Sequence, residues 1–187
     1  MHRSVLTTTV LSLALLAACS AGNSSAPAAQ ADATAQEGAG IADAAARETR
    51  QIGPFNVETI ASFNEPWALS FLPDGRLLVS ERPGTLQLVD VATGRASGIA
   101  GVPEVVYGGQ GGFGDVVPHP QFEDNGLVYL SYAEQGDGDT AGAAVARARL
   151  VMDESGGGRL EGLEVIWRQV PKVTGRGHYA HRIAFHD

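Results

Sequence analysis

Cys19 is the only cysteine in the 187 residues, so no disulfide can form within the chain. Basic side chains are scarce as well: 13 Lys and Arg against 21 Asp and Glu leave a formal net charge of −8. With no basic run and no basic amphipathic stretch, neither nucleic acid nor an anionic lipid surface is an expected partner. Helical patterning is missing beyond residue 55, where no segment keeps apolar residues at helical spacing for ten or more positions, and the domain reads as all-β. The long apolar run, Val5 to Ala18, falls short of the roughly 20 residues a membrane-spanning helix needs.

What that run does have is His2 and Arg3 ahead of it and Leu16-Ala17-Ala18-Cys19 behind it, the layout of an export signal. The last four residues resemble the lipobox of bacterial lipoproteins. Residues 1–18 are therefore expected to be a lipoprotein signal peptide and Cys19 the lipidation site. The alternative is a chance cysteine behind an ordinary signal. Several acyl chains, each methylene contributing about 0.8 kcal/mol, would anchor the protein on a bilayer. Ser20, in place of an aspartate, points to the outer membrane facing the periplasm. Residues 19–53, rich in Ala, Ser and Gly and without aromatics, cannot bury enough apolar surface to offset chain entropy and read as a flexible tether.

From Phe55 the composition changes to short Val, Leu, Ile and aromatic runs between turn residues. FNVETIASF, WALSFL, RLLVSE and TLQLVDV read as strands, separated by Pro73-Asp74-Gly75, Arg82-Pro83-Gly84 and Ala92-Thr93-Gly94. A weak strand is expected near Ser97 to Val106. FGDVVP, LVYLSYAE, AAVARARL and LEVIWRQV follow as a second set, with HPQFEDNG as a loop. Arg147 and Arg149 alternate with small residues, which marks a solvated strand face rather than an anion site.

NEPWALSFLP, QGGFGDVVPH and HYAHRIAFHD align without gaps: Phe71, Val117 and Phe185 share one column, Asn64, Gln110 and His178 another. Each unit reads as one four-stranded propeller blade. Residues 54–187 then hold about two blades and the first strand of a third. Closure takes about four to eight, so the segment is expected to be the N-terminal part of a longer ring, cut inside a hairpin and inactive alone. The first strand of each blade lies nearest the axis. A polar residue just before it, set among glycines that admit a close approach, is placed to touch a bound molecule.

PWALSFLPDGRLLVSERPGTLQLVD, GVPEVVYGGQGGFGDVVPHPQFEDNGLVYLSYAE and PKVTGRGHYAHRIAFHD together resemble the N-terminal part of the PQQ-dependent sugar dehydrogenases, the aldose/glucose and sorbosone dehydrogenase-like family. The resemblance runs from about residue 54 to the end. It implies a six-bladed β-propeller with pyrroloquinoline quinone and calcium at one mouth, oxidising an aldose at its anomeric carbon to the lactone and passing electrons to a quinone or other acceptor in the cell envelope. His178, in a GxGHxxxR-like segment, matches the general base, and Gln110, in GQGG, the substrate contact. The ligands of PQQ and calcium are expected beyond residue 187, with no metal ligand in this segment. An imidazole suits the role, since hydride removal from an alcohol requires a proton acceptor near neutral pH.

Blander readings stand beside these. His178 could be a structural turn residue, and Gln110 could simply hydrogen-bond a neighbouring loop. On a strand His178 and His181 would face opposite sides and make no metal pair. His119, between prolines, reads as solvated, and Arg182 as bracing the wall through an ion pair. Arg176 and His181 replace small residues of the aldose-type members, which would narrow the pocket or alter its charge. Two other function classes remain: a non-catalytic propeller lipoprotein binding a carbohydrate or protein, and a propeller lactone hydrolase, which would need carboxylate or asparagine metal ligands at several blade starts.

Overall fold

The computed structural model describes residues 48–186. The signal peptide (1–18), the lipidation site Cys19 and the tether as far as residue 47 lie outside the described residues. The end of the stretch read as tether forms a strand. β1 (Thr49–Ile52) pairs antiparallel with β2 (Phe55–Glu58) across Gly53, and both are exposed along their whole length. A φ of 59° at Gly53 makes this tight reversal possible, and the strand read from FNVETIASF stops at Glu58.

β3 (Pro66–Phe71), β4 (Leu77–Glu81), β5 (Thr85–Asp90) and β6 (Arg95–Ala100) form one antiparallel meander. Its three turns fall where the Gly-containing triplets predicted. The N–H groups of Gly75, Gly84 and Gly94 close back on the carbonyls of Leu72, Glu81 and Asp90. β6 lies earlier than the expected 97–106: its ladder begins directly after the turn, with Asp90 opposite Arg95. It ends at Gly101, which has a φ of 77°, and Pro103 has no N–H with which to resume it.

β7 (Phe113–Pro118), α1 (Phe122–Asn125), β8 (Leu127–Gln135), β9 (Thr140–Met152) and β10 (Gly158–Arg168) supply a second meander. The loop HPQFEDNG thus contains one helical turn, closed by the left-handed Gly126, whose N–H reaches the Phe122 carbonyl at 2.7 Å. β10 starts earlier than LEVIWRQV and carries two register shifts against β9. Along β9, Ala144, Ala146, Ala148 and Leu150 are buried. Arg147 faces out to Glu164 at 2.9 Å, so the arginine pair is a solvated face.

The two meanders lie against each other with Leu72, Leu78, Leu86, Leu88 and Ile99 of one in a common core with Phe113, Val116, Val128, Leu130 and Leu160 of the other. β3 and β4 of the first both lie against β7 of the second: the Ser70 hydroxyl donates to the Val116 carbonyl at 2.7 Å and the Ser80 hydroxyl to the Gly114 carbonyl at 2.6 Å. β6 and β10 meet in a two-residue parallel bridge. These are two stacked propeller blades. Since Ser80 is wholly buried, Ser80→Ala is expected to leave a carbonyl unpaired and to lower stability by about 1–2 kcal/mol, read as a shift in the denaturant midpoint at constant slope.

The third repeat departs from the other two. Val173–Thr174 (β11) pairs with β9, and from Gly175 to His186 no strand ladder forms among the described residues. His178, Ala180 and His181 have φ of 64°, 61° and 60°, a left-handed backbone incompatible with a strand. In each blade the first strand pairs with the second of its own hairpin. Residues 181–183 instead lie along β7: the Ile183 N–H donates to Asp115 Oδ2 at 2.9 Å, and the Ser131 hydroxyl donates to the His181 carbonyl.

Candidate functional site

The loop before β7 and the loop after β11 meet directly. The Gln110 N–H donates to the Arg176 carbonyl at 2.7 Å, and Gln110 Oε1 accepts the His178 N–H at 2.6 Å. The two residues singled out by the repeat are therefore in contact, side-chain amide to backbone. Gln110 does bond a neighbouring loop, and that loop carries His178. With Oε1 committed, the Gln110 Nε2 is the donor left for a bound molecule. The His178 ring is exposed and engages no side chain among the described residues.

The glycines of this loop do a different task from the one expected. A Cβ on Gly109 would lie 2.3 Å from the Arg176 carbonyl oxygen, on Gly111 2.6 Å from that of Val106, and on Gly112 2.2 Å from that of Arg82. They let chain approach chain, not chain approach ligand. The third member of the repeat column, Asn64, has its N–H on Glu81 Oε1 at 2.6 Å.

Arg82, read from sequence only as part of a turn, is at the centre of this arrangement. Its Nη2 donates to the carbonyls of Gly109 and Gly111, on either side of Gln110. Its Nη1 pairs with Glu65 Oε2 at 2.9 Å, and the guanidinium lies over the rings of Trp67 and Tyr107 at 5.8 and 5.5 Å. The Tyr107 hydroxyl completes the group by donating to Glu65 Oε1 at 2.6 Å. That bond, with the nearby Glu65 carboxylate and some burial, pushes the phenol above its ordinary value.

His181 is not a pocket-lining residue. Its ring is buried at 6% exposure, seated where a Cβ on Gly114 would come within 2.3 Å, and flanked by Trp67 and Tyr179. The expected narrowing of the pocket by His181 does not occur. His178 is exposed and His181 buried, a difference set by the left-handed backbone at 178, 180 and 181 rather than by strand alternation. Arg176 does lie at the mouth, Nη1 donating to the Tyr107 carbonyl at 3.1 Å. Arg182 makes the ion pair expected of it, 3.4 Å from Asp115 Oδ2. Asp115, buried in mid-strand, was missed; a carboxylate within an apolar run was its one signal. His119 is not simply solvated: Nδ1 takes the Gln121 N–H at 3.0 Å and the ring packs on Tyr129 and Phe185.

Neither ring nitrogen of His181 has a hydrogen-bond partner. Burial holds its titration below the ordinary imidazole value, against the opposing pull of the nearby Gln110 backbone and Asp115 carboxylate. The unfolded chain, titrating near 6.5, then takes up a proton that the folded chain refuses. This contribution is fully present above that value and is lost as pH falls from there through the lower value of the folded chain. Denaturant midpoints are expected to drop between pH 7.5 and 5 in the wild type and to drop less steeply in His181→Phe.

Among the described residues no group of three His, Cys, Asp or Glu could hold a metal ion. Arg82 is committed to two carbonyls and a carboxylate, and Arg176 is a cation whose own carbonyl accepts the Gln110 N–H. What the described residues offer is an accessible imidazole and an amide donor at the meeting of three blade-leading loops. An all-β protein built of propeller blades is the class these features define.

Residues 63–187 match the family model "Glucose / Sorbosone dehydrogenase", and the chain belongs to that family. It is 38% identical over 132 residues to the aldose sugar dehydrogenase YliI of Escherichia coli K12, covering 70% of this chain and 35% of the relative. Among solved structures it resembles a glucose dehydrogenase at 46% identity and a TM-score of 0.61, covering 65% of this chain and 37% of that one. It also resembles the PQQ-bound aldose sugar dehydrogenase of Streptomyces coelicolor at 31% identity and a TM-score of 0.50, covering 60% and 33%. The chain thus spans about a third of the length of these relatives.

Proposed function

We propose that, at the family's full length, this protein is an aldose dehydrogenase of the cell envelope that depends on PQQ and calcium and yields the lactone. His178 is the proton acceptor and Gln110 a sugar contact. The observation that carries this is the hydrogen bond from the His178 N–H to Gln110 Oε1. It ties residue 178, whose imidazole is exposed, to the Gln110 side chain, whose Nε2 keeps its donors. The Gln110 Nε2 is suited to donate to a sugar hydroxyl oxygen, and the His178 ring to take the proton of the anomeric hydroxyl as that carbon is oxidised. PQQ, when bound, would be the hydride acceptor, its carboxylates held by basic and amide side chains. Attachment to the outer membrane through Cys19 would put the enzyme in the periplasm, with a quinone or other envelope carrier as electron acceptor.

The full-length protein supplied with PQQ and calcium is expected to reduce an artificial electron acceptor when given aldoses. Sugar binding without acceptor reduction, across a panel of aldoses, would overturn this in favour of a non-catalytic carbohydrate-binding propeller.

A further inference from the structure

We propose that Arg82 is a positioning residue for the Gln110–His178 pair, acting from the turn of the first blade through the glycine loop of the second onto the leading loop of the third. The inference rests on the catalytic reading above for its kinetic consequence, but its structural claim stands apart. The Arg82 guanidinium donates to the carbonyls of residues 109 and 111, which bracket Gln110. Its backbone carbonyl accepts the Phe113 N–H at 3.0 Å and its N–H donates to the Glu65 carbonyl at 3.0 Å. Both ends of the segment 109–113 are thereby tied to one residue. Gln110 in turn holds residues 176 and 178 by two bonds, at 2.7 and 2.6 Å.

Arginine suits this task where lysine would not. Reaching two carbonyls and a carboxylate at once needs a planar group with several fixed donors, whereas an ammonium is a compact point charge. The side chain of Arg82 is about four-fifths buried, at 21% exposure, between two aromatic rings. Trp67, Tyr107 and Glu65 all lie against its guanidinium and restrict its orientation. Among the described residues no hydrogen bond joins Arg82 to His178 or to the Gln110 side chain, so its effect on chemistry passes through the backbone of the loop.

The test is Arg82→Lys in the full-length protein, which keeps the charge and guards against loss of folding. By hydrogen exchange, peptides spanning 108–113 and 175–179 are expected to exchange about tenfold faster than in the wild type, with β4 and β8 unchanged. Unchanged exchange at 175–179, or equal acceleration throughout both blades, overturns the proposal. With PQQ and calcium bound, kcat for an aldose is expected to fall about 10- to 100-fold, and by less than about 3-fold when the same change is made in a Gln110→Ala background. Effects that multiply in the double variant also overturn it. A wild type with no aldose activity would sink the functional reading alone, because the exchange measurement still decides the role of Arg82.

Discussion

His178→Ala is expected to lower kcat for aldose oxidation by about 100-fold or more in the full-length, cofactor-loaded protein while leaving its melting temperature nearly unchanged. The geometry separates these two outcomes. The imidazole is exposed, and the bond from residue 178 to Gln110 comes from the backbone N–H, which alanine retains. The left-handed φ of 64° costs alanine about as much as histidine, so stability is expected to move by no more than about 0.5 kcal/mol. A large kinetic loss would then belong to the ring itself. Turnover equal to the wild type would remove His178 from the chemistry and leave it as a turn residue. Gln110→Ala should behave differently, since it deletes both the Nε2 proposed to contact the sugar and the acceptor that holds the next loop. Loss of KM and kcat together is the expected signature.

The turns and most strands were legible because their signals are local. A glycine at the third position of each triplet, or the small-apolar alternation of β9, carries its meaning within a few residues. The repeat columns were legible too, and they brought Gln110 and His178 together correctly. Arg82 was not, because nothing in its surroundings in sequence distinguishes a turn arginine in solvent from one folded between Trp67 and Tyr107 onto a loop nearly thirty residues on. His181 escaped for a related reason. Strand alternation would have placed it on a face, whereas two left-handed residues, Ala180 and His181, turn its ring into the space Gly114 leaves. The glycines of residues 108–112 were noticed, but which surface they admit depends on the partner chain, a tertiary fact.

That partner chain makes Gly112→Ala the most damaging small change expected in this region. The glycine has a φ of 116°, where an L side chain is strained by about 1–2 kcal/mol. The added Cβ would also sit 2.2 Å from the Arg82 carbonyl oxygen and 3.1 Å from its carbon. Neither side can retreat easily. The same Arg82 carbonyl holds the Phe113 N–H at 3.0 Å, and the Gly112 carbonyl accepts the Ala133 N–H at 2.9 Å. Overpacking of this kind costs about 1–3 kcal/mol, so the total expected is roughly 2–5 kcal/mol. Gly75→Ala is the matched control: its φ is 87° but nothing lies within 4 Å of its Cβ position, so it bears the conformational strain alone. Denaturant midpoints of the two variants in the full-length protein therefore isolate the contact. A cost at residue 112 no greater than at residue 75 would mean that the chain there yields freely, and a loop that yields could not hold Gln110 against His178.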